Sequence, residues 1–174
     1  MRRTITLLAL ALTLTTITGC KNNKDTATET GTPESNKAEL FAIADKFHEA
    51  FKKKDAMALK AISTEKGFYM GTDPNEVLNQ MSFIDYLNKK LTNPAIGTIE
   101  YKVDRREINI DEDGQGAIIA DQFTPIVFTQ NIPWRMTAHV LKKDGKWIFD
   151  FISLSMTPNN DIVPAINIAA YQGQ

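Results

Sequence analysis

The chain has 174 residues, enough for one domain with a modest core. Its 20 basic and 21 acidic residues nearly cancel, so it lacks the basic field that nucleic-acid binding requires. A single cysteine excludes an internal disulfide and argues against a cysteine-based metal site.

The chain opens Met1-Arg2-Arg3 and runs from Ile5 to Ile17 with only Thr as polar interruption. A charged start followed by a short apolar run is the pattern of a secretory signal. It falls short of the roughly 20 apolar residues a spanning helix needs. Ile17-Thr18-Gly19-Cys20 follows, and this stretch resembles the bacterial lipobox, in which small residues precede an invariant Cys. The resemblance implies that residues 1–19 are a lipoprotein signal peptide. It also implies that Cys20 is the lipidation site, acylated with palmitate-like chains, and becomes the mature N-terminus. Two or more acyl chains anchor a protein stably where one does not. The expected location is the cell envelope, and Lys21 rather than Asp after the Cys points to the outer membrane in a Gram-negative cell. Losing residues 1–19 removes Arg2 and Arg3 and no acid, so the net charge moves from −1 to −3.

Residues 20–36 form the lipidated Cys and a flexible tether. KNNKDTATETGTPESN, at 21–36, has no apolar residue larger than Ala and cannot bury a core. Its end-to-end distance would be roughly 20–25 Å. From Lys37 to Lys54, Leu40, Phe41, Ala44, Phe47, His48 and Phe51 recur at helical spacing. Asp55 caps a short second helix through Ile62, with Ala58, Leu59 and Ile62 inward. GFYMG at 67–71 reads as a strand and Thr72-Asp73-Pro74 as a turn. Ser82 is expected to cap a third helix carrying Phe83, Ile84, Leu87 and Leu91. From Thr98 the period changes to two through Ile99, Tyr101 and Val103, with a phase shift at Arg105-Arg106 that suggests a bulge. Asp111 to Gly116 turns into a strand from Ala117 to about Gln130, bent or at an edge near Pro125.

Residues 132–158 read as a hairpin about Asp144-Gly145, a pair suited to a type I′ turn. A regular register sets Val140 opposite Phe149, Ala138 opposite Phe151, Met136 opposite Ser153 and Trp134 opposite Ser155. These eight share one face, nearly all apolar. The other face carries Leu141, Ile148, His139, Asp150, Thr137, Ile152, Arg135 and Leu154. Helices of the same chain are expected to cover the first face and a partner subunit the second. A one-residue slip would exchange the two faces. The tail, 159–174, contains Ile162, Val163, Ile166, Ile168 and Tyr171, apolar enough to pack, though its sequence does not say where. The fold class is therefore α+β, with N-terminal helices on one face of a curved antiparallel sheet, the domain spanning residues 37–158.

FHEAFKKKDAMAL at 47–59, MGTDPNEV at 70–77, WRMTAHVLKKDGKW at 134–147 and SLS at 153–155 carry a resemblance to the SnoaL-like branch of the nuclear transport factor 2-like (ketosteroid-isomerase-like) superfamily. It covers most of residues 37–158. It implies a cone-shaped α+β barrel with a pocket between helices and sheet, often dimeric through the sheet's outer face. Relatives often end the last strand with His, one residue, then Ser; here Ser153 stands in place of that His. The resemblance therefore does not carry over an activity resting on the His, and the smaller side chain should enlarge the cavity. Glu76-Val77-Leu78 stands where many relatives have an aromatic residue.

Chemistry candidates are few. His139 and Asp150 are expected cross-strand neighbours, the start of a general-base pair or, as the default, a salt-bridged pair on the outer face or in a dimer interface. His48 lies on the apolar stripe of the first helix and reads as a core His bonded to backbone. Asp111-Glu112-Asp113-Gly114 lacks the later ligands of a calcium loop and reads as a solvated turn. Asp73 and Glu76 either cap a helix or line the pocket mouth, with capping the default. Trp147 and Phe149 are assigned to the core. Tyr69, Trp134, Met136, Phe151 and Ser153 are assigned to a ligand pocket. No catalytic residue, metal ligand or cofactor is assigned. The function expected is a membrane-anchored envelope lipoprotein, homodimeric, binding a small apolar or amphipathic molecule. Its rivals are an isomerase- or cyclase-like enzyme of the same fold and a protein-interaction module. The inward hairpin face offers no acid or His, which weighs against the enzyme, although the faces of Asp121, Glu107 and Tyr101 cannot be assigned from sequence.

Overall fold

The computed structural model describes residues 33–172. The signal peptide, Cys20 and most of the tether lie outside the described residues. Helix α1 spans Pro33–Lys52. Proline suits a first helical position, where its missing N–H is not needed. The helix begins four residues before the periodicity does, and Asn36, assigned to the tether, is buried. Its side chain accepts from Lys142 Nζ at 3.0 Å. The buried stripe runs Leu40, Ile43, Ala44, Phe47, His48 and Phe51. Phe41 stays at the surface with the Arg106 guanidinium 5.2 Å from its ring centre. Helix α2 spans Ala56–Ala61, and Asp55 caps it by accepting from Ala58 N. Helix α3, Gln80–Leu91, starts before the expected cap. Asn79 caps it, accepting from Ser82 N at 2.9 Å, so Ser82 already lies inside the helix.

The strands are β1 Ser63–Met70, β2 Val77–Leu78, β3 Val103–Ile110, β4 Gly116–Phe123, β5 Trp134–Lys143 and β6 Lys146–Met156. They form one sheet in the order β2-β1-β6-β5-β4-β3. The β1–β6 pair is parallel, so the sheet is mixed rather than antiparallel throughout. Parallel neighbours need a long crossover, and α3 with β2 to β5 supplies it. The expected irregularity in β3 is present between Val103 and Arg105. Strand β4 ends at Phe123. Proline 125 cannot donate to a ladder, and the chain turns there with Phe128 N bonded to Pro125 O. Ile99 is buried and Tyr101 turns inward ahead of β3, in a segment without ladder bonds.

The hairpin turn is as read, with φ of 51° at Asp144 and 74° at Gly145. The regular register holds from Lys143/Lys146 to Val140/Phe149 and then breaks. His139 pairs with Phe151, Ala138 with Ile152, Met136 with Leu154 and Trp134 with Met156. Asp150 is the extra residue of a β-bulge. Beyond it the faces exchange on β6: Ile152 and Leu154 are buried, and Phe151 and Ser153 move to the outer face. The face assignment of the distal half of β6 is thereby corrected. Gly67 of β1 lies against this bulge, where a Cβ would come within 2.6 Å of the Asp150 carbonyl oxygen.

The core lies between the helices and the inner sheet face. It is built from Leu40, Phe47, Tyr69, Phe83, Ile119, Phe123, Met136, Phe149 and Ile152, all below 3% exposed. The tail forms a short 3-10 turn, Asn160–Ile162, and helix α4, Val163–Gln172, without a buried residue. It does not pack into the core.

Candidate functional site

Helix α3 places Phe83, Tyr86, Leu87, Lys90 and Leu91 on one face by the three-and-four spacing of a helix. That face forms one wall of a cavity of about 320 Å³. The β1–β2 loop adds Gly71, Thr72 and Glu76; the end of α1 adds Phe51; the open ends of β5 and β6 add Trp134, Leu154 and Met156. The β4–β5 connection closes over it with Phe128 and Thr129. This connection is pinned in place. Trp134 Nε1 donates to Thr129 Oγ1 at 2.9 Å, the Thr129 hydroxyl donates to Ile132 O at 2.7 Å, and Phe128 stacks on Trp134 with ring centres 5.4 Å apart.

The polar part of the lining is compact. Tyr86 stands beside Glu76 in the lining, and burial, followed by the nearby carboxylate, raises its phenol above its ordinary range. Glu76, for which capping is the default expectation, lies in the cavity lining. Asp73 is no helix cap either. Its carboxylate accepts from Asn75 N at 2.9 Å and shapes the loop.

Of the five residues assigned to a pocket, the cavity brings in Trp134 alone. Tyr69 is fully buried and stacked on Phe83, its hydroxyl directed at Thr64 O at 2.7 Å and Phe149 O at 3.1 Å. Burial pushes its pKa up to about 12. Met136 is likewise packed in the core. Phe151 and Ser153 lie across the sheet, and Ser153 lines a shallow outer depression with Met70 and Val77. Sequence reading missed Tyr86 and Lys90, although both fall on the helical face already marked by Phe83, Leu87 and Leu91.

A second polar group is buried beneath α1. Asp121 is wholly inaccessible and accepts from Arg106 Nε at 2.8 Å and Nη2 at 2.8 Å. His48 Nε2 donates to the same carboxylate at 2.8 Å, and His48 Nδ1 accepts from the Tyr101 hydroxyl at 2.9 Å. Arg106 reaches on to Asp45 at 2.8 Å. His48 is thus a core histidine, bonded to side chains and not to backbone. Burial opposes the charge on Asp121, but the His48 and Arg106 hydrogen bonds outweigh it and hold the carboxyl below its ordinary range. Burial also raises Tyr101 above the phenol range. Every donor here has a partner, and the group reads as a clamp between α1 and the sheet. Glu107 faces outward, paired with Arg105 at 3.0 Å. On the outer face His139 Nδ1 bonds Asp150 at 2.6 Å, with Asp111 at 4.0 Å. Among the described residues no group of three or more His, Cys, Asp or Glu could hold a metal, and no helix is long and apolar enough to cross a membrane.

A family model for the SnoaL-like domain matches residues 41–158. The chain belongs to the SnoaL-like family. Solved structures agree on the fold. A domain of unknown function with a cystatin-like fold from Nostoc punctiforme superposes with a TM-score of 0.63 at 11% identity, covering 82% of this chain and 89% of that one. A nuclear transport factor 2-like protein of unknown function from Pseudomonas putida gives 0.62 at 10% identity, covering 75% and 93%. A protein from Parabacteroides distasonis, provisionally named a ketosteroid isomerase, gives 0.54 at 15% identity, covering 68% and 85%. At such identities these likenesses establish the SnoaL-like domain's fold and nothing of its chemistry. No curated protein matches the sequence.

Proposed function

We propose that this SnoaL-like protein is a lipid-anchored cell-envelope protein whose domain binds a small apolar or amphipathic molecule without transforming it. The observation that carries the binding reading is the cavity between α3, the β1–β2 loop and the open hairpin end: about 320 Å³, lined mainly by Phe51, Phe83, Leu87, Phe128, Trp134 and Leu154, with a few polar groups. Apolar walls with a small number of placed polar side chains are what small-molecule sites look like. The anchor rests on Cys20 and the residues before it.

One observation favours the rival enzyme. Glu76 and Tyr86, an acid and a proton donor, line the same cavity. Isomerase-type chemistry needs a base aimed at the substrate and a donor aimed at the developing enolate. Here the carboxylate is held by its own loop, Asp73 N donating to Glu76 Oε2 at 3.2 Å, which supports binding over catalysis.

The test is a thermal-shift screen of lipids and small metabolites against the wild type and Leu87→Trp. Leu87 is 4% exposed and lines the cavity, so the larger ring should abolish the shifts at a cost of about 1–3 kcal/mol. Shifts that survive in Leu87→Trp, or a wild type that no compound shifts, would refute the reading.

A further inference from the structure

The β1–β2 loop holds its carboxylate in a defined place. Gly71 N donates to Glu76 O at 3.0 Å, Glu76 N to Asp73 O at 3.0 Å, and Asp73 N to Glu76 Oε2 at 3.2 Å. The side chain is thereby folded back over Gly71. A Cβ at that position would overlap Oε2 and come within 2.8 Å of Cδ. Only glycine leaves room for the carboxylate to lie there, and Tyr86 of α3 lines the same cavity.

A carboxylate is an acceptor with about four lone-pair sites, and the Asp73 N–H leaves most of them free. The head of a bound molecule must therefore donate. An ammonium does so while also carrying the opposite charge, which adds a Coulomb attraction that a hydroxyl lacks. The rings of Phe128 and Trp134 in the same lining also attract cations. Lys90, the cation in the lining, lies 5.4 Å over the Tyr86 ring, and among the described residues no ion pair joins it to Glu76.

We infer that Glu76, seated on Gly71, determines the specificity of this cavity, and that its ligand is a small hydrophobic amine. The inference deepens the binding reading above and rests on it. Titration calorimetry of the full-length chain with hexylamine, hexanol and hexanoate separates the two. The wild type should bind hexylamine about tenfold more tightly than hexanol, with hexanoate weakest. Glu76→Gln should bring amine and alcohol level. Gly71→Ala should do the same by displacing the carboxylate, and because only a flexible side-chain end must move, it should keep its melting temperature; it carries the test if Glu76→Gln fails to fold. Hexanoate binding as tightly as hexylamine, or an amine preference that survives both variants, overturns the inference and leaves the cavity reading standing. If none of the three probes binds the wild type, or if Leu87→Trp binds them unchanged, both readings fail.

Discussion

Asp121 is the residue on which the interior depends most. It receives hydrogen bonds from Arg106 and His48 in a site closed to water. Replacing its charge while leaving the Arg106 guanidinium in place should cost about 3–5 kcal/mol, because a guanidinium 9% exposed beneath α1 then keeps only the exposed Asp45 as its charged partner. Urea denaturation of Asp121→Asn near neutral pH checks this. The pH dependence has a definite sign. The native carboxyl titrates below its unfolded value of about 3.9, so its contribution is complete above that value. It is lost as the pH falls through the lower, native value. The wild type should therefore lose stability more steeply than Asp121→Asn on going down through pH 4. Equal acid slopes would show that Asp121 is not the group responsible.

At the scale of the element, β6 is two half-strands of opposite phase. From Lys146 to Phe149 it follows the register that the turn dictates, and from Phe151 onward it is offset by one residue. The bulge arises where β6 must also pair with β1 as a parallel neighbour, and Gly67 gives the Asp150 carbonyl room to protrude. Mutations read the phase directly. Ile152→Ala, at a site 2% exposed, should cost about 2–5 kcal/mol. Ser153→Phe should change stability by no more than about 0.5 kcal/mol and leave ligand binding intact. Unbroken alternation predicts the reverse for both. Denaturation curves of the two variants decide between them. The same exchange explains why a smaller residue at position 153 does not enlarge the cavity: Leu154 faces it instead.

For the whole molecule, the outer sheet face is left bare by its own chain. Phe68 is 63% and Ile118 42% exposed, with Leu141, Ile148, Phe151 and Thr137 between them. Helix α4 does not turn back to bury this surface, since none of its residues is buried. Exposed apolar side chains flanking the His139–Asp150 pair suit an interaction site. We expect residues 33–174 to form a homodimer through it, with a dimeric mass by light scattering at micromolar concentration. In cells, Cys20→Ser should abolish palmitate labelling and release the protein from membranes. A monomeric mass, or labelling that persists in the variant, would contradict the corresponding part of this picture.

Much of the architecture was written in local patterns. The 3.6-residue stripe of α1, the Asp55 cap, the Asp144-Gly145 turn, the β3 irregularity and the helices-on-sheet class all follow from near-neighbour rules, and the family resemblance rested on the same stretches. The cavity lining was not written there. Alternation on β6 is interrupted by a backbone contact with Gly67, more than 80 residues earlier, and no period within 146–156 carries that information. The partners of His48 lie 53 and 73 residues away, so sequence could mark it as buried but could not name what it bonds. Glu76 read by default as a cap because its place in the lining depends on Gly71 folding beneath it and on α3 packing alongside. Local sequence sets the period and the ends of each element. Which face meets the cavity is decided by where strands and loops from distant parts of the chain collide, because the hydrogen bonds and close contacts that fix phase form only once those parts are packed together.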